Sequence, residues 1–131
     1  MRVTKTQASF QDARGIIKDI LFKEPIDHVT VITSAKGVVR GNHYHKETLQ
    51  WVYLHSGRLK VLTRQGDGGV VHHILEEGDL VLTEKLEEHS LEAMEDSVFF
   101  VFTRGPRGGK DYEQDTFRLD SPLRLPDDQS R

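Results

Sequence analysis

Runs of alternating or continuous apolar residues, broken by turn residues, follow one another along most of the chain. The runs that predict strands lie at residues 28–34, 49–55, 58–63, 70–75, 80–83, 90–94 and 98–103. Glycine and aspartate punctuate them, notably at residues 65–69 and 78–79. Many short strands joined by such turns predict an all-β sandwich or barrel.

The two ends of the chain give weaker patterns. Residues 1–7 alternate basic and β-branched side chains and predict either an extra edge strand or a frayed terminus. The apolar residues 16–22 suit a buried strand or a short helix. Residues 111–118 are a short helix or a last strand, and the proline-containing stretch 121–131 is expected to be poorly ordered. We therefore expect one domain over residues 1–120.

Three histidines and a glutamine are the candidate functional residues. His43 and His45 are two positions apart, a spacing that places both imidazoles on one face of a β-strand. Gln50 joins them if the chain turns at residues 46–48 and returns as the second arm of a hairpin. His89 is remote in sequence, but an antiparallel barrel can bring it to the same cavity.

These positions match two motifs of the cupin superfamily, which the chain resembles. The first motif, G-x5-H-x-H-x4-E-x6-G, is met at Gly37, His43, His45, Gln50 and Gly57, with glutamine in place of glutamate. The second motif, G-x5-P-x-G-x2-H-x3-N, is met at Gly78 and His89 but not at Glu84, Leu86 and Ala93. The resemblance implies a cupin jelly-roll barrel of antiparallel strands.

Other elements are similar to those of nucleotide-sugar 3,4-ketoisomerases. They are Phe10-x-Asp12-x-Arg14-Gly15, Arg40-Gly41-x-His43-x-His45-Lys46 with Gln50, and Asp111-Tyr112-Glu113-x-Asp115-x-x-Arg118. The Arg-Gly-x-His element also resembles 3,5-epimerases of dTDP-linked ketosugars. The metal-carrying cupin domain of a capsule-precursor reductase has a comparable element. Glu88, where ketoisomerases usually have tryptophan, and the Gly/Pro/Arg stretch 104–110 depart from the ketoisomerase pattern.

The first functional interpretation is isomerisation or epimerisation of a nucleotide-linked ketosugar. Such a reaction removes a proton beside a carbonyl and returns it elsewhere, which suits histidine. His43 and His45 are the candidate base and acid. Arg40 is the candidate phosphate ligand if a bulge at Gly41 turns it toward the His43 face. Tyr53 is a candidate surface for stacking the ligand, although large aromatics in small barrels are more often core or interface.

The second interpretation is a metal-dependent oxygenase, hydrolase or isomerase. His43, His45, Gln50 and His89 offer three imidazoles and an amide oxygen to a divalent transition metal such as Zn, Fe, Mn or Ni. Glutamine in place of a carboxylate removes one negative charge from that set. A third interpretation is a cupin that binds or senses a sugar without catalysis, since this fold hosts enzymes and binders alike.

Composition narrows the class of protein. The chain of 131 residues has no cysteine, which excludes disulfides and thiolate metal sites. Its formal net charge of -3 gives no general reason to expect nucleic acid as a partner. No run is apolar enough to span a bilayer and no secretory signal is recognised, so we expect a soluble, cytoplasmic protein acting on a small molecule. By analogy with other cupins, we expect a homodimer.

Overall fold

Two five-stranded antiparallel sheets form the body of the protein in a computed structural model that describes residues 1–106 and 113–126. In spatial order, the first sheet contains β1 (Arg2–Lys5), β9 (Asp79–Thr83), β6 (Leu49–Ser56), β11 (Ser97–Arg104) and β4 (His28–Ser34). The second contains β12 (Phe117–Arg118), β5 (Val39–Tyr44), β10 (Glu88–Ala93), β7 (Leu59–Arg64) and β8 (Val71–Leu75). This architecture confirms the predicted all-β jelly roll.

The apolar core lies between the two sheets and is built by alternate residues of the strands. Its fully buried members come from both sheets and include Val52 and Leu54 of β6, Val61 of β7, and Phe99 of β11. Because side chains of a strand alternate between its two faces, these positions point inward while their neighbours point outward. The period-two runs of the sequence therefore correspond to strands with one face in the core.

In the N-terminal region, one of the two alternatives predicted for residues 1–7 is confirmed and the prediction for residues 16–22 is wrong. β1 pairs with β9 as an edge strand, so the first residues are not a frayed terminus. Residues 16–22 are neither a buried strand nor a helix. β2 (Phe10–Asp12) and β3 (Gly15–Ile17) form a separate hairpin, in which Ile16 is 55% and Ile17 60% exposed. Apolar composition did not bury Ile16 and Ile17, whereas Ile20 and Leu21, which follow the hairpin, are half-buried against Trp51, Tyr53 and Leu80 of the first sheet.

The C-terminal region of the described chain lies along β5. Of the two alternatives for residues 111–118, a last strand forms at β12, which pairs with Tyr44 and His43. Beyond it, Leu123 is buried and its backbone N–H donates to Asn42 Oδ1 at 2.8 Å. Residues 127–131 of the predicted poorly ordered tail lie outside the described residues.

The predicted hairpin of β5 and β6 is wrong, although the chain does turn between them. β5 pairs with β10 and β12, whereas β6 pairs with β9 and β11, so the two strands lie in different sheets. The backbone N–H groups of residues 46–48 donate to the carboxylate of Asp115 instead of closing a hairpin turn. The connection therefore crosses from one sheet to the other.

A β-bulge interrupts β5 beside the candidate histidines. His43 pairs with His89 and Gly41 pairs with Ser90, so Asn42 is an extra residue on β5. Gly41 has φ +91° and Asn42 has φ +57°. A Cβ on Gly41 would lie 2.9 Å from the His89 carbonyl oxygen and 3.2 Å from Ser90 Cα. Only glycine meets both the dihedral angle and the close approach of β10.

The described residues contain no helix with the length and apolar character needed to cross a membrane. The location of the protein in the cell stays a prediction from the sequence.

Replacement of Gly41 by alanine should destabilise the protein by about 1–3 kcal/mol, because the added Cβ would strain the bulge and press on β10. The free energy of unfolding, measured in denaturant, tests this. Gly69→Ala is the matched control, since a Cβ there meets no atom within 4 Å; its effect should stay within about 0.5 kcal/mol. Equal stabilities of the two variants would contradict the role of the bulge.

Candidate active site at one end of the barrel

Inward-facing polar residues replace the apolar core at one end of the barrel. In β11, Thr103 follows the buried inward positions Phe99 and Val101, and its partner in β6 is Gln50. Gln50 in turn pairs with Thr83 of β9. In the second sheet a corresponding row runs through His43, His89 and Thr63. Two polar rows therefore face each other across this end of the barrel.

Three of the predicted site residues form a compact histidine cluster. His43, His45 and His89 are buried, and one ring nitrogen from each lies within 4.8 Å of the others. The ring centroids are 4.9 Å apart for His43 and His45, 4.7 Å for His43 and His89, and 5.3 Å for His45 and His89. The sequence spacing and the barrel thus bring together the three imidazoles, as the motifs predicted.

Backbone carbonyl groups orient two of these imidazoles. His45 Nδ1 lies 2.7 Å from the carbonyl oxygen of Asp115, and His89 Nδ1 lies 3.2 Å from that of Glu87. A carbonyl oxygen only accepts, so each Nδ1 carries the proton and donates it. In the neutral ring the lone pair is then on Nε2, which is the form that can take a proton or bind a metal.

A cavity of about 380 Å³ gives access to this polar end. Its lining combines Gln50, His43 and His89 with two guanidinium groups and with apolar residues of both sheets. Those further residues are Ile32, Val39, Arg40, Gly41, Leu91, Phe99, Val101 and Arg118. No carboxylate belongs to the lining within the described parts of the chain, so the cavity favours a neutral or negatively charged ligand.

The bulge determines the direction of Arg40. After the extra residue, Arg40 pairs with Leu91, whose side chain belongs to the core. Directly opposite residues of antiparallel strands lie on the same face. Arg40 therefore shares the cavity with His43, which an unbulged strand would have prevented. Its Nε donates to Ser34 Oγ at 2.8 Å and its second terminal nitrogen donates to the Thr33 carbonyl at 3.0 Å.

Arg118 was quoted in the ketoisomerase pattern but not predicted as a site residue. It pairs with His43 through β12 and lines the cavity. Two nitrogens of its guanidinium donate to the carboxylate of Glu113, both at 3.0 Å. The sequence signal that could have found it was a strand at residues 117–118 next to the His-x-His strand.

Tyr53 is not brought to the histidine cluster. It alternates with the inward residues Val52 and Leu54, so it lies on the outer face of the first sheet. There it packs with Trp51 and Leu80, and Lys18 Nζ donates to its hydroxyl at 3.3 Å. Gln50, one strand position before Trp51, faces the barrel interior instead. The parity of β6 thus separates the predicted stacking residue from the predicted ligand.

Two buried threonine hydroxyls border the cluster and were missed by the sequence interpretation. Thr63 pairs with His89 and Thr103 pairs with Gln50. Neither hydroxyl has a hydrogen-bond partner among the described residues. Buried hydroxyls are normally satisfied, and neither threonine belongs to the lining of the 380 Å³ cavity. Their inward parity, shared with the apolar residues of the same strands, was the available signal.

Asp115 holds the connection that carries His45. Its carboxylate accepts the backbone N–H groups of Lys46, Glu47 and Thr48, and also the Thr48 hydroxyl at 2.7 Å. Burial acts to raise the pKa of this carboxyl group, but the bonds from Thr48 and from the backbone N–H groups together lower it below its ordinary value of 3.8. Asp115 is therefore ionised at neutral pH.

A wider cavity of about 670 Å³ lies beside residues 47–49 and 104–105. Acidic and basic side chains both line it, among them Asp27, Glu84 and Lys85. None of the predicted metal ligands is in the described part of that lining, so it is not the candidate reaction site. Arg104 is held there by the Pro25 carbonyl and Glu24, while Arg107 and Lys110 lie outside the described residues.

The histidine cluster has the chemistry of a metal site. It supplies three buried imidazoles, and the carbonyl groups behind His45 and His89 leave Nε2 as the donor atom on each ring. Gln50 lines the same cavity and adds an amide oxygen. These residues fit a divalent transition ion such as Zn, Fe, Mn or Ni. Occupancy of the site by an ion stays a prediction.

The fold and site define a jelly-roll protein with a histidine-lined cavity at one end of its barrel. A family model described as a cupin domain matches residues 30–103, which is more than half of the chain. The protein belongs to the cupin family. No curated protein matches its sequence.

Solved structures with the same fold include sugar-modifying enzymes. A 3,4-ketoisomerase from Helicobacter canadensis superimposes with a TM-score of 0.77 at 18% identity, covering 90% of this chain and 90% of that chain. A sugar 3,4-ketoisomerase from Thermoanaerobacterium thermosaccharolyticum, in complex with TDP, gives 0.76 at 20%, covering 91% and 88%. dTDP-4-dehydrorhamnose 3,5-epimerase from Sulfolobus tokodaii gives 0.74 at 21%, covering 89% and 76%. At these identities the similarity establishes the fold.

The contribution of Asp115 to stability should depend on pH. Because the pKa of its carboxyl group is lowered in the folded state, the charged form stabilises the protein above pH 3.8, and this stabilisation is lost as the pH falls below 3.8. The difference in free energy of unfolding between wild type and Asp115→Asn should be constant near neutral pH and shrink in acid. Asp120→Asn, on the exposed part of the same segment, is the matched control and should change the free energy of unfolding by less than about 0.5 kcal/mol at neutral pH. A difference in free energy of unfolding between wild type and Asp115→Asn that does not change with pH would contradict the lowered pKa of Asp115.

Proposed function

We propose that this protein isomerises or epimerises a nucleotide-linked ketosugar by acid/base chemistry at His43 and His45. The observation that carries the proposal is the meeting of buried imidazoles with two guanidinium groups around one cavity. Imidazoles exchange protons near neutral pH, and guanidinium groups bind phosphate or an oxyanion. The cavity thus supplies both the acid/base groups and the anion-binding groups that such a substrate requires.

The reaction balances without an external oxidant or reductant. A base takes the proton from the carbon beside the ketone, and the electron pair of the broken C–H bond moves into an enediolate. Return of a proton to the former carbonyl carbon, with transfer of the neighbouring hydroxyl proton to the former carbonyl oxygen, moves the ketone. Return of a proton to the opposite face of the carbon that lost it inverts the configuration of that carbon. His43 lines the cavity, whereas His45 does not. The centroids of the two rings are 4.9 Å apart, and we propose that the rings divide these roles.

Arg40 and Arg118 are the proposed anion-binding residues. Both line the cavity, Arg40 from the same strand as His43 and Arg118 from the neighbouring strand β12. One guanidinium can bind a phosphate oxygen while the other stabilises the negative charge that develops on the enediolate oxygen. The described lining contains no carboxylate, but Glu113 binds Arg118 from outside that lining, so an anion would have to share this guanidinium with Glu113.

The similar structures support the substrate class. Two of them are sugar 3,4-ketoisomerases, one in complex with TDP, and the third is a 3,5-epimerase of a dTDP-linked dehydrosugar. Both kinds of reaction move a proton beside a ketone.

A metal-dependent enzyme is the second candidate function, and the convergence of three buried histidine nitrogens within 4.8 Å favours it specifically. His43, His45, His89 and Gln50 would hold the ion. A bound divalent ion would supply Lewis acidity to a substrate carbonyl. In that case Arg40 and Arg118 would still orient an anionic substrate in the cavity.

Replacement of His43 or His45 by asparagine should lower proton exchange on a dTDP-linked 4-ketosugar by about 10²–10⁴-fold, because each variant removes a proton-transfer group. Deuterium incorporation from D₂O, followed by mass spectrometry and NMR, measures this rate. His72→Asn is the matched control, since His72 is exposed on β8 outside the cavity, and it should exchange at the wild-type rate.

The same assay separates the candidate functions. Exchange that persists in chelated wild-type protein supports metal-free acid/base catalysis. Exchange that is lost on chelation and restored by one divalent ion supports the metal-dependent enzyme. Saturable binding of the ketosugar with no exchange would overturn both and leave a binding protein.

We also propose that the protein forms a homodimer through the first sheet and the hairpin of β2 and β3. Phe10, Ile16 and Ile17 of the hairpin are exposed, and an isolated two-stranded hairpin is marginally stable in water. β4 is an edge strand whose Val29 is 64% and Val31 59% exposed. A second copy would cover both apolar surfaces and the open backbone groups of the edge.

The double variant Ile16→Lys/Ile17→Lys should convert the dimer to a monomer, because charge at the proposed interface opposes its burial. Light scattering coupled to gel filtration gives the mass in solution. Val71→Lys, at a comparably exposed apolar position on β8, should leave the mass at twice that of one chain. A monomeric wild type, or a double variant that stays dimeric, would refute this interface.

A further inference from the structure

We propose that Asp115 is a positioning residue that fixes the tautomer and orientation of His45. The expected effect on catalysis rests on the proposed function, whereas the expected effect on the tautomer concerns only the hydrogen bond at His45 Nδ1. Asp115 touches neither the cavity lining nor the proposed reacting atoms, so it acts through His45.

The carboxylate of Asp115 binds the backbone of residues 46–48, which connect the two sheets directly after His45. Its Oδ1 accepts the Lys46 N–H at 3.0 Å, and its Oδ2 accepts the Thr48 N–H at 2.8 Å. The Glu47 N–H is shared between the two oxygens at 3.2 and 3.0 Å. These bonds hold the three residues that immediately follow His45, and Asp115 itself is buried.

The carbonyl of the same residue completes the arrangement. It accepts the Nδ1 proton of His45 at 2.7 Å, which is shorter than the 3.2 Å between His89 Nδ1 and the Glu87 carbonyl oxygen. Asp115 therefore binds His45 through the main chain and the residues after His45 through its side chain. Rotation of the ring would break the carbonyl bond, and displacement of the ring would break the carboxylate bonds.

The segment that carries Asp115 is fixed independently on the other side. Phe117 and Arg118 pair with Tyr44 and His43, and the Leu119 N–H donates to the Asn42 carbonyl at 2.9 Å. The position of the Asp115 carbonyl is thus set by β12 on one side and by the carboxylate on the other. Loss of the carboxylate should release only the second of these constraints.

Asparagine at position 115 keeps the size of the side chain but not its bonding capacity. One acceptor oxygen and the negative charge are lost, and the new NH₂ group faces N–H donors. The connection after His45 should then relax, and with it the geometry of the bond from His45 Nδ1 to the carbonyl. The expected result is a mixture of His45 tautomers in place of one.

The tautomer can be observed directly by long-range ¹H–¹⁵N correlation NMR of chelated, ¹⁵N-labelled protein at a pH where the rings are neutral. Wild type should show His45 with a proton on Nδ1 and none on Nε2. Asp115→Asn should shift His45 toward a mixture while His89, held by the Glu87 carbonyl, keeps its single form. In the deuterium-exchange assay the same variant should be about 10–100-fold slower.

Asp120→Asn is the matched control, being the same chemical change on an exposed residue of the same segment, and should leave both spectra and rates as in wild type. If Asp115→Asn does not fold, Thr48→Val removes the hydroxyl that lies 2.7 Å from the carboxylate and 3.1 Å from the Pro106 carbonyl oxygen, keeps the three backbone bonds to the carboxylate, and should shift His45 in the same direction.

A folded Asp115→Asn with the wild-type tautomer of His45 would overturn the proposal. Equal changes at His45 and His89 would also overturn it, since they would indicate general loosening of the barrel. If wild type exchanges no deuterium, the proposed function fails, and the tautomer result still decides the role of Asp115.

Discussion

A layer of polar side chains is buried between the two sheets at one end of the barrel. The organisation of this protein depends on hydrogen-bond partners for these side chains. Burial of unsatisfied polar groups is costly, so the layer requires hydrogen-bond partners that the surrounding main chain must supply. The carbonyls of Asp115 and Glu87 do so for two imidazoles. The same bonds that make burial tolerable leave Nε2 as the reactive atom on each ring, so stability and chemistry share one cause.

The apolar core gives this layer a rigid base. Along β6, β10 and β11 the inward positions change from leucine, valine or phenylalanine to glutamine, histidine or threonine within one strand. Side chains on strands are positioned more precisely than side chains on loops, as the proposed proton-transfer groups would require. The candidate site lies where these strands end and the connections begin.

Two departures from regular strand geometry set the contents of the cavity. The bulge at Gly41 and Asn42 turns Arg40 to the same face of β5 as His43. The crossing at residues 46–48 leads from His45, at the end of β5 in the second sheet, to Gln50 of β6 in the first sheet. The bulge is held by the close approach of the β10 main chain, and the crossing is held by the side-chain carboxylate of Asp115. Positive and neutral groups then surround the cavity, which agrees with an anionic ligand such as a nucleotide sugar.

The sequence by itself determined the strands, the cupin motifs and the meeting of His43, His45 and His89, because period-two alternation and fixed motif spacing are local properties. It even indicated the bulge, since Arg40 has the wrong parity without one. Only the tertiary structure decided that β5 and β6 belong to different sheets, that Tyr53 faces outward, and that residues 16–17 lie exposed in a hairpin. These outcomes depend on which strands become hydrogen-bonded neighbours. The role of the Asp115 carbonyl was equally hidden, because every residue has a carbonyl and only the fold selects the one that meets His45.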